Sequence, residues 1–186
     1  MSVGLENNLL IAMPSVKDPN FDGTVTYVCK HDEKGAMGII INRPLKMRVS
    51  EIFNQLSFET IDNKHAEQLV LGGGPIQQEM GFVLHQSNEN YDKTLNPSDL
   101  GIKVTISQDI LSSMAQGKGP QTSLVALGYA GWDPGQLEAE LTDNTWLSVP
   151  ANPVILFDTP FDKRREAAAA LLGIKISQLS AYAGHA

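Results

Sequence analysis

Alternation of apolar and polar residues along the chain predicts short strands separated by turn-forming residues. Residues 9–13 (LLIAM) form an apolar run that ends at Pro14, and residues 24–31 (TVTYVCKH) alternate as a half-buried strand does. Residues 37–42 (MGIIIN) are nearly all apolar, which is typical of a strand buried on both faces. Because only a short turn at residues 32–35 separates the last two, an antiparallel hairpin is predicted.

The remaining pattern interleaves strands with helices. Further strands are predicted at residues 69–71, 81–86, 102–106, 146–149 and 154–157. Helices are predicted at residues 51–56 with Ser50 as N-cap, at 108–116 with Ser107 as N-cap, and at 162–172. A short helical turn is predicted at residues 76–79, loops at 16–23, 59–65 and 87–99, and a C-terminal turn and tail at 179–186.

Residues 123–141 (SLVALGYAGWDPGQLEAEL) are predicted to organise the fold as strand, turn and helix. Residues 123–127 are the strand, Gly128 and Gly131 mark the turn, and Asp133 followed by Pro134 starts the helix. Such a layout exposes backbone N–H groups beside a cleft. The stretch carries no catalytic or phosphate-binding pattern, so it indicates a fold and not a reaction.

Several neighbouring strands have links of hairpin length, which favours a mixed, largely antiparallel sheet surrounded by helices over a doubly wound one. The predicted fold class is therefore α/β with α+β character. The chain has 186 residues and no linker rich in Pro, Gly or Ser, so residues 1–186 are expected to form a single compact domain.

Composition and charge limit the partners and the cellular compartment expected for the protein. The formal net charge is −7, and a field of that sign repels phosphate backbones, so direct nucleic-acid binding is not expected. The lone Cys29 excludes an intramolecular disulfide and fits a reducing compartment. Neither a signal peptide nor a long apolar run is evident, so a cytoplasmic protein with no membrane segment is expected.

Two stretches are candidates for anion binding. Gly72, Gly73 and Gly74 follow a predicted strand, and a glycine run there can present backbone N–H groups to an anion, although a tight turn is the favoured interpretation. Asn42 and Arg43 end a buried strand. The arginine either serves an anionic ligand or pairs with a carboxylate, for which Asp133 and Glu138 are candidates.

Other candidates lie among aromatic, histidine and cationic residues. Tyr129 and Trp132 flank Gly131 and could stack on a ligand, although plugging the end of a core is favoured. His85 has no second histidine at metal-ligand spacing, so it is interpreted as structural. No metal site, cofactor or catalytic residue is predicted.

A basic triplet, residues 163–165 (KRR), starts the last long predicted helix, where the helix dipole favours acids. An anion could sit between these cations. A solvated face with acidic neighbours explains the triplet more simply, and a single triplet is weak evidence for a DNA-binding patch.

Six stretches give the chain a family resemblance. They are LLIAMP at residues 9–14 with Phe21, MGIIINRPL at 37–45, LGGGP at 71–75, GFVLH at 81–85, LGYAGWDPGQLEAEL at 127–141 and AGHA at 183–186. In this order the chain resembles the bacterial AlgH/YqgE family over essentially its whole length. The resemblance implies one compact α/β domain with a small barrel-like sheet and surrounding helices. The family has no agreed catalytic residues to carry over to this chain. Its members are sometimes labelled transcriptional regulators.

Three functional hypotheses follow. The first is a non-catalytic ligand-binding or regulatory module with a small anionic ligand or a protein partner, because no nucleophile–base pair is evident. The second is a hydrolase for a small anionic substrate, which requires Arg43, His85 and Trp132 to line one cleft. The third is direct DNA binding, which requires a continuous basic surface around residues 163–165. The first is favoured, with no prediction of oligomeric state.

Overall fold

The computed structural model describes residues 4–61, 63–95, 97 and 101–183. Its strands are β1 (Asn8–Ala12), β2 (Val25–Asp32), β3 (Gly35–Ile40), β4 (Pro44–Arg48), β5 (Leu69–Gly72), β6 (Ile76–Gln86), β7 (Thr94–Leu95), β8 (Ile102–Thr105), β9 (Thr122–Trp132) and β10 (Trp146–Pro150). Its helices are α1 (Val49–Gln55), α2 (Lys64–Glu67), α3 (Gln108–Ala115), α4 (Gln136–Thr142), α5 (Arg164–Ala170) and α6 (Ile176–Ala183). A π-helical turn (Val154–Asp158) and a 3₁₀ turn (Phe161–Lys163) precede α5.

Strand β9 is the centre of the sheet. The strands run in the order β10-β1-β2-β3-β9-β6-β8-β7; off this path, β5 pairs with β9 and β4 pairs with β5. Strand β6 pairs antiparallel with β9 along one edge, while β5 pairs parallel and β3 antiparallel along the other. The predicted mixed, largely antiparallel sheet is confirmed, and the sheet is curled into a half-barrel with helices around it. The predicted hairpin is also confirmed, since Asp32 of β2 pairs with Gly35 of β3.

Both faces of the central strands are buried. Leu84 and Leu124 belong to an apolar cluster that also packs against α5 and the π-helical turn. The intervening Val83 and Val125 belong to a second cluster, formed with α1, α2 and α3. Successive strand residues point to opposite faces, so β6 and β9 separate these two cores. A third cluster contains Trp132, Trp146 and Leu137.

The predicted turn at Gly128 and Gly131 is wrong, because β9 continues through both residues to Trp132. The glycines serve close backbone approach instead. Gly128 has a φ of +79°, and a Cβ built on it would lie 2.4 Å from the carbonyl oxygen of Gly74. A Cβ on Gly73 would lie 2.4 Å from the carbonyl oxygen of Gly128. The glycine run at residues 72–74 therefore packs directly against the β9 backbone.

Other local predictions are also corrected. The helix predicted from Asp133 begins at Gln136 after a left-handed Gly135, and α1 begins at Val49, before the predicted cap Ser50. The predicted helical turn at residues 76–79 is the start of β6, and the loop predicted at 59–65 gives way to α2 from Lys64. Strands β4 and β7 and the start of α6 were not predicted from the sequence. Residues 1–3, 62, 96, 98–100 and 184–186 lie outside the described part.

The predicted strand at residues 154–157 is a π-helical turn. Asn152 starts it, because its side-chain oxygen accepts a hydrogen bond from the Val154 amide at 2.8 Å. The Thr159 amide then donates to the Val154 carbonyl at 2.9 Å, which closes the five-residue spacing of a π turn. Consecutive Ile155 and Leu156 are both buried, a pattern that a strand with one buried face does not produce.

His85 lies inside the sheet, on the face of β6 that carries Val83. It is fully buried, its Nε2 is 2.7 Å from the Thr105 hydroxyl, and its ring meets Tyr91 edge-on at 5.7 Å. Nδ1 is buried without a hydrogen-bond partner among the described groups. Burial, aided by Lys103 and opposed by Glu89, lowers the pKa of His85 to about 4.

Gly74→Ala tests the backbone approach. The new Cβ would lie 2.1 Å from the Tyr129 carbonyl carbon, so we expect the free energy of unfolding in urea to fall by about 3 kcal/mol. Gly81→Ala is the control, since its Cβ meets only Leu111 Cδ1, at 4.0 Å, and we expect less than about 1 kcal/mol of change. Equal losses in the two variants would contradict this account.

The buried His85 predicts loss of stability in mild acid. Its pKa in the folded chain, about 4, lies below the ordinary 6.5, so the unfolded chain takes up the proton first. This contribution is complete above pH 6.5 and is lost as the pH falls from 6.5 towards 4. The shift corresponds to about 3 kcal/mol.

Urea unfolding at pH 7.5 and pH 4.5 measures this effect. We expect His85→Gln to lose clearly less stability between the two pH values than the wild type. The variant keeps part of the dependence, because burial and Lys64 also lower the pKa of His65. An equal loss in both proteins would exclude His85 as its source.

Candidate functional site

The predicted site residues are divided among separate parts of the molecule. Asn42, Arg43, Gly72 and Gly74 line a cavity of about 620 Å³, called here the Arg43 cavity. Residues Tyr129, Gly131 and Trp132 line a different cavity of about 440 Å³. Gly73 is buried against β9, and His85 is a buried residue of β6. Arg43, His85 and Trp132 therefore do not share a cleft.

Arg43 is anchored by backbone carbonyls and not by the carboxylates expected. Its two terminal nitrogens donate to the carbonyl oxygens of Asn20 and Asp22 at 2.7 and 2.8 Å. Neither predicted partner contacts it, since Glu138 instead accepts a hydrogen bond from His31 Nε2 at 2.5 Å. The guanidinium thus fixes the loop before β2, and its other N–H groups have no partner among the described groups.

The amides of the glycine run are used within the sheet. Gly72 donates to the Arg43 carbonyl and Gly73 to the Leu127 carbonyl, each at 2.8 Å. The side chain of Asn42 is also occupied, because it accepts from the Val25 amide and donates to the Gly23 carbonyl. These groups shape the Arg43 cavity, but their bonds are directed at the protein. The structural interpretation of the glycines accounts for the amides of Gly72 and Gly73.

Trp132 plugs the end of a core. It is 6% exposed, and its indole N–H donates to Glu140 Oε2 at 2.8 Å. The indole of Trp146 donates to the same oxygen, also at 2.8 Å, and Phe21 packs against both rings. Tyr129 meets Phe82 edge-on at 5.7 Å. Both aromatic residues are engaged in packing, and the core interpretation fits them.

A larger cavity lies beside the predicted site. Its volume is about 660 Å³, and it shares Asn42 and Pro44 with the Arg43 cavity. One wall is the segment 157–162, which joins the π-helical turn to the 3₁₀ turn. The opposite wall comes from β4, β5 and β9. Because Arg164 lines it at the start of α5, we call it the Arg164 cavity.

Arg164 is a buried cation without a carboxylate partner. It is 2% exposed, and within the described residues no acid forms an ion pair with it. Its Nε donates to the Thr159 carbonyl at 3.0 Å, its Nη1 donates to the Ile41 carbonyl at 2.5 Å, and its charge stacks 4.6 Å from the Phe161 ring. Burial lowers its pKa to about 10. A guanidinium in this state attracts an anion.

Gln68 lines the same cavity and carries an unused hydrogen-bond acceptor. Its side-chain nitrogen donates to the Ser123 carbonyl at 3.4 Å, which fixes the orientation of the amide. The side-chain oxygen is buried and has no donor among the described groups. Ser123 also lines the cavity, but its side chain shares a face with His85, its register partner on β6.

Arg164 belongs to the basic triplet at residues 163–165, for which no binding site was predicted from the sequence. The solvated face proposed for it is wrong for Arg164, and Arg165 is also turned inward, because it donates to the Ala12 carbonyl at 2.6 Å. The position of cations at the start of a helix was the available signal.

The described residues support neither a metal site nor a cysteine nucleophile. No three of their His, Cys, Asp and Glu side chains come together as metal ligands. Cys29 is buried, and burial raises the pKa of its thiol, so it lacks the character of a nucleophile. None of their helices has the length and apolar character needed to cross a membrane.

Comparison with known proteins identifies the family to which this chain is similar. A family model described as AlgH-like matches residues 9–177. A UPF0301 protein of Nitrosococcus oceani is 51% identical over 180 residues, covering 97% of this chain and 96% of the relative. The UPF0301 protein AlgH of Pseudomonas aeruginosa is 49% identical over 183 residues, covering 98% and 96%.

Solved structures agree with these sequence relationships. The solution structure of the P. aeruginosa AlgH protein superimposes with a TM-score of 0.80 at 47% identity, covering 97% of this chain and 95% of that one. A crystal structure from Corynebacterium diphtheriae has a TM-score of 0.73 at 17% identity, covering 95% and 91%, and so shares the fold. With its matching motifs and half-barrel fold, the chain belongs to the AlgH-like family.

Proposed function

We propose that this protein is a non-catalytic, cytoplasmic binding module that holds a small anionic ligand in the Arg164 cavity. One observation carries the proposal: a guanidinium that is 2% exposed lines a cavity of about 660 Å³ without an ion-pair partner in the described residues. Cavities of this size accommodate small organic molecules.

The energetics of a buried charge favour an anionic ligand. Removing a charge from water costs several kcal/mol unless a counter-charge and hydrogen bonds replace the lost hydration. Arg164 receives two carbonyl bonds and one aromatic face, which offset part of that cost. A ligand carboxylate or phosphate would supply the missing counter-charge, and the guanidinium fork binds such groups through two parallel bonds.

The ligand-binding residues predicted from the sequence keep a smaller part in this proposal. Asn42 stands between the two cavities and braces the loop before β2. Arg43 holds that loop as well, and its remaining N–H donors border the adjacent cavity. The Arg43 cavity is therefore proposed as an extension of the site, with Arg164 at its centre.

The other hypotheses have weaker support. The hydrolase required Arg43, His85 and Trp132 in one cleft, and they lie in separate regions. Direct DNA binding required a continuous basic surface, yet Arg164 and Arg165 both turn into the protein. A protein partner remains the explanation to pursue if no anion binds.

Titration of ¹⁵N-labelled protein with inorganic phosphate and with benzoate tests the proposal. At least one should shift the amide resonances of residues 157–164 and raise the melting temperature. An anion at 100 times its Kd stabilises the folded state by about 2.7 kcal/mol. Arg164→Lys should weaken binding about tenfold or more, because the fork is lost while the charge stays.

Arg43→Ala is the matched variant for this titration. We expect it to lower the melting temperature by itself, through loss of the bonds to Asn20 and Asp22, and to leave the shifts at residues 157–164 in place. Loss of binding in Arg43→Ala with retention in Arg164→Lys would move the site to the Arg43 cavity. Absence of any response to either anion would refute the proposal.

A further inference from the structure

The residues that line the Arg164 cavity indicate which kind of anion it would bind. Phe157 and Phe161 line one side, and Leu69 and Leu124 line the side formed by the sheet. Aromatic and aliphatic side chains exposed to a cavity are stabilised when an apolar ligand displaces water from them. A bare inorganic ion would leave these walls hydrated and most of the volume of about 660 Å³ unfilled.

A second requirement comes from Gln68. Gln68 is one of the residues that line the cavity, and its side-chain oxygen is buried without a donor from the described groups. A buried acceptor without a donor is costly, so a ligand that brings a hydroxyl or N–H group gains affinity. The ligand thus has to offer a donor as well as an anionic group.

A third requirement comes from the rim. Asp158 and Asp162 border the same cavity, and both are exposed to solvent. Together with Arg164 they give the lining one positive and two negative charges, on a chain whose net charge is −7. One anionic group can be neutralised by Arg164, whereas further negative charges on a ligand meet the rim carboxylates.

From these three requirements, and resting on the function proposed above, we infer that the ligand is an organic monoanion with an apolar ring-sized body and a hydroxyl or N–H donor. The carboxylate or other single anionic group pairs with Arg164, the body lies between Phe157, Phe161 and Leu124, and the donor bonds the Gln68 side-chain oxygen. Nucleotides and other polyphosphates are selected against.

The segment 157–162 makes this recognition sensitive to the ligand's shape. Arg164 joins it to the sheet, because the guanidinium donates both to the Thr159 carbonyl and to the Ile41 carbonyl. The same group that binds the anion therefore sets the separation of the two cavity walls.

The test compares 4-hydroxybenzoate with four other probes: benzoate, 4-hydroxybenzamide, inorganic phosphate and ATP. Affinities are measured by calorimetry, and binding is located from amide shifts of residues 157–164 in the wild-type protein. We expect 4-hydroxybenzoate to bind at least tenfold more tightly than the neutral 4-hydroxybenzamide and than ATP. It should exceed benzoate by about five- to tenfold, through the bond to Gln68.

Two variants separate the donor from the body. Gln68→Met removes the acceptor at similar volume and should reduce the affinity for 4-hydroxybenzoate to that for benzoate, while benzoate binds as before. Gln55→Met is the matched control, because Gln55 is exposed on α1 and lines neither the Arg164 cavity nor the Arg43 cavity, and both affinities should stay unchanged. Equal losses for both ligands in Gln68→Met would overturn the assigned role of Gln68.

The outcomes also separate this inference from the proposed function. If phosphate or ATP binds at residues 157–164 and the aromatic acids do not, the inferred ligand class is wrong and the anion-binding function stands. If 4-hydroxybenzamide binds as tightly as 4-hydroxybenzoate, or if none of the anions binds, both fail. Selective binding of 4-hydroxybenzoate supports both.

Discussion

The fold depends on the close approach of two backbones, the glycine run at residues 72–74 and the middle of β9. The Gly73 amide donates to the Leu127 carbonyl, and the Gly73 carbonyl accepts from the Ile40 amide, each at 2.8 Å. A side chain on Gly73 or Gly74 would overlap β9. This contact holds β5 parallel to β9 and directs the chain into β6, which returns along the opposite edge of β9. Both cavities around Asn42 form where this branch leaves the main sheet.

Burial of the Arg164 charge beside these cavities lowers the stability of the folded protein. A hydrophobic residue of similar volume would avoid burying a charge, and its absence is understandable if the charge serves binding. The guanidinium also ties α5 to the sheet through the Ile41 carbonyl, so binding and architecture share one side chain. Structural and functional roles are not alternatives at this residue. Arg43 differs, because its bonds to a loop account for its position without a ligand.

Glycine runs illustrate how the same residues support opposite interpretations. A turn that presents free amides to an anion and a strand that needs close backbone packing both favour glycine. The distinction depends on whether the amides already have acceptors. In this protein Gly72 and Gly73 donate to Arg43 and Leu127, which are remote in sequence, so the pairing is decided by tertiary structure.

The sequence alone was enough to predict the family, the mixed sheet, the hairpin of β2 and β3, and the favoured structural interpretations of Trp132 and His85. These follow from motif order, from two-residue alternation and from the absence of metal-ligand spacing, all of which are local properties. It indicated that Asn42 and Arg43 stand beside a cavity, but it misassigned the partners of Arg43.

The Arg164 cavity became evident only in the folded structure. Its walls come from residues 42, 44, 68–69, 123–124, 157–162 and 164, and nothing local to the last stretch distinguishes the buried Arg164 from the exposed Lys163 beside it. Burial of a charge is decided by what folds over it, and that depends on contacts between distant parts of the chain.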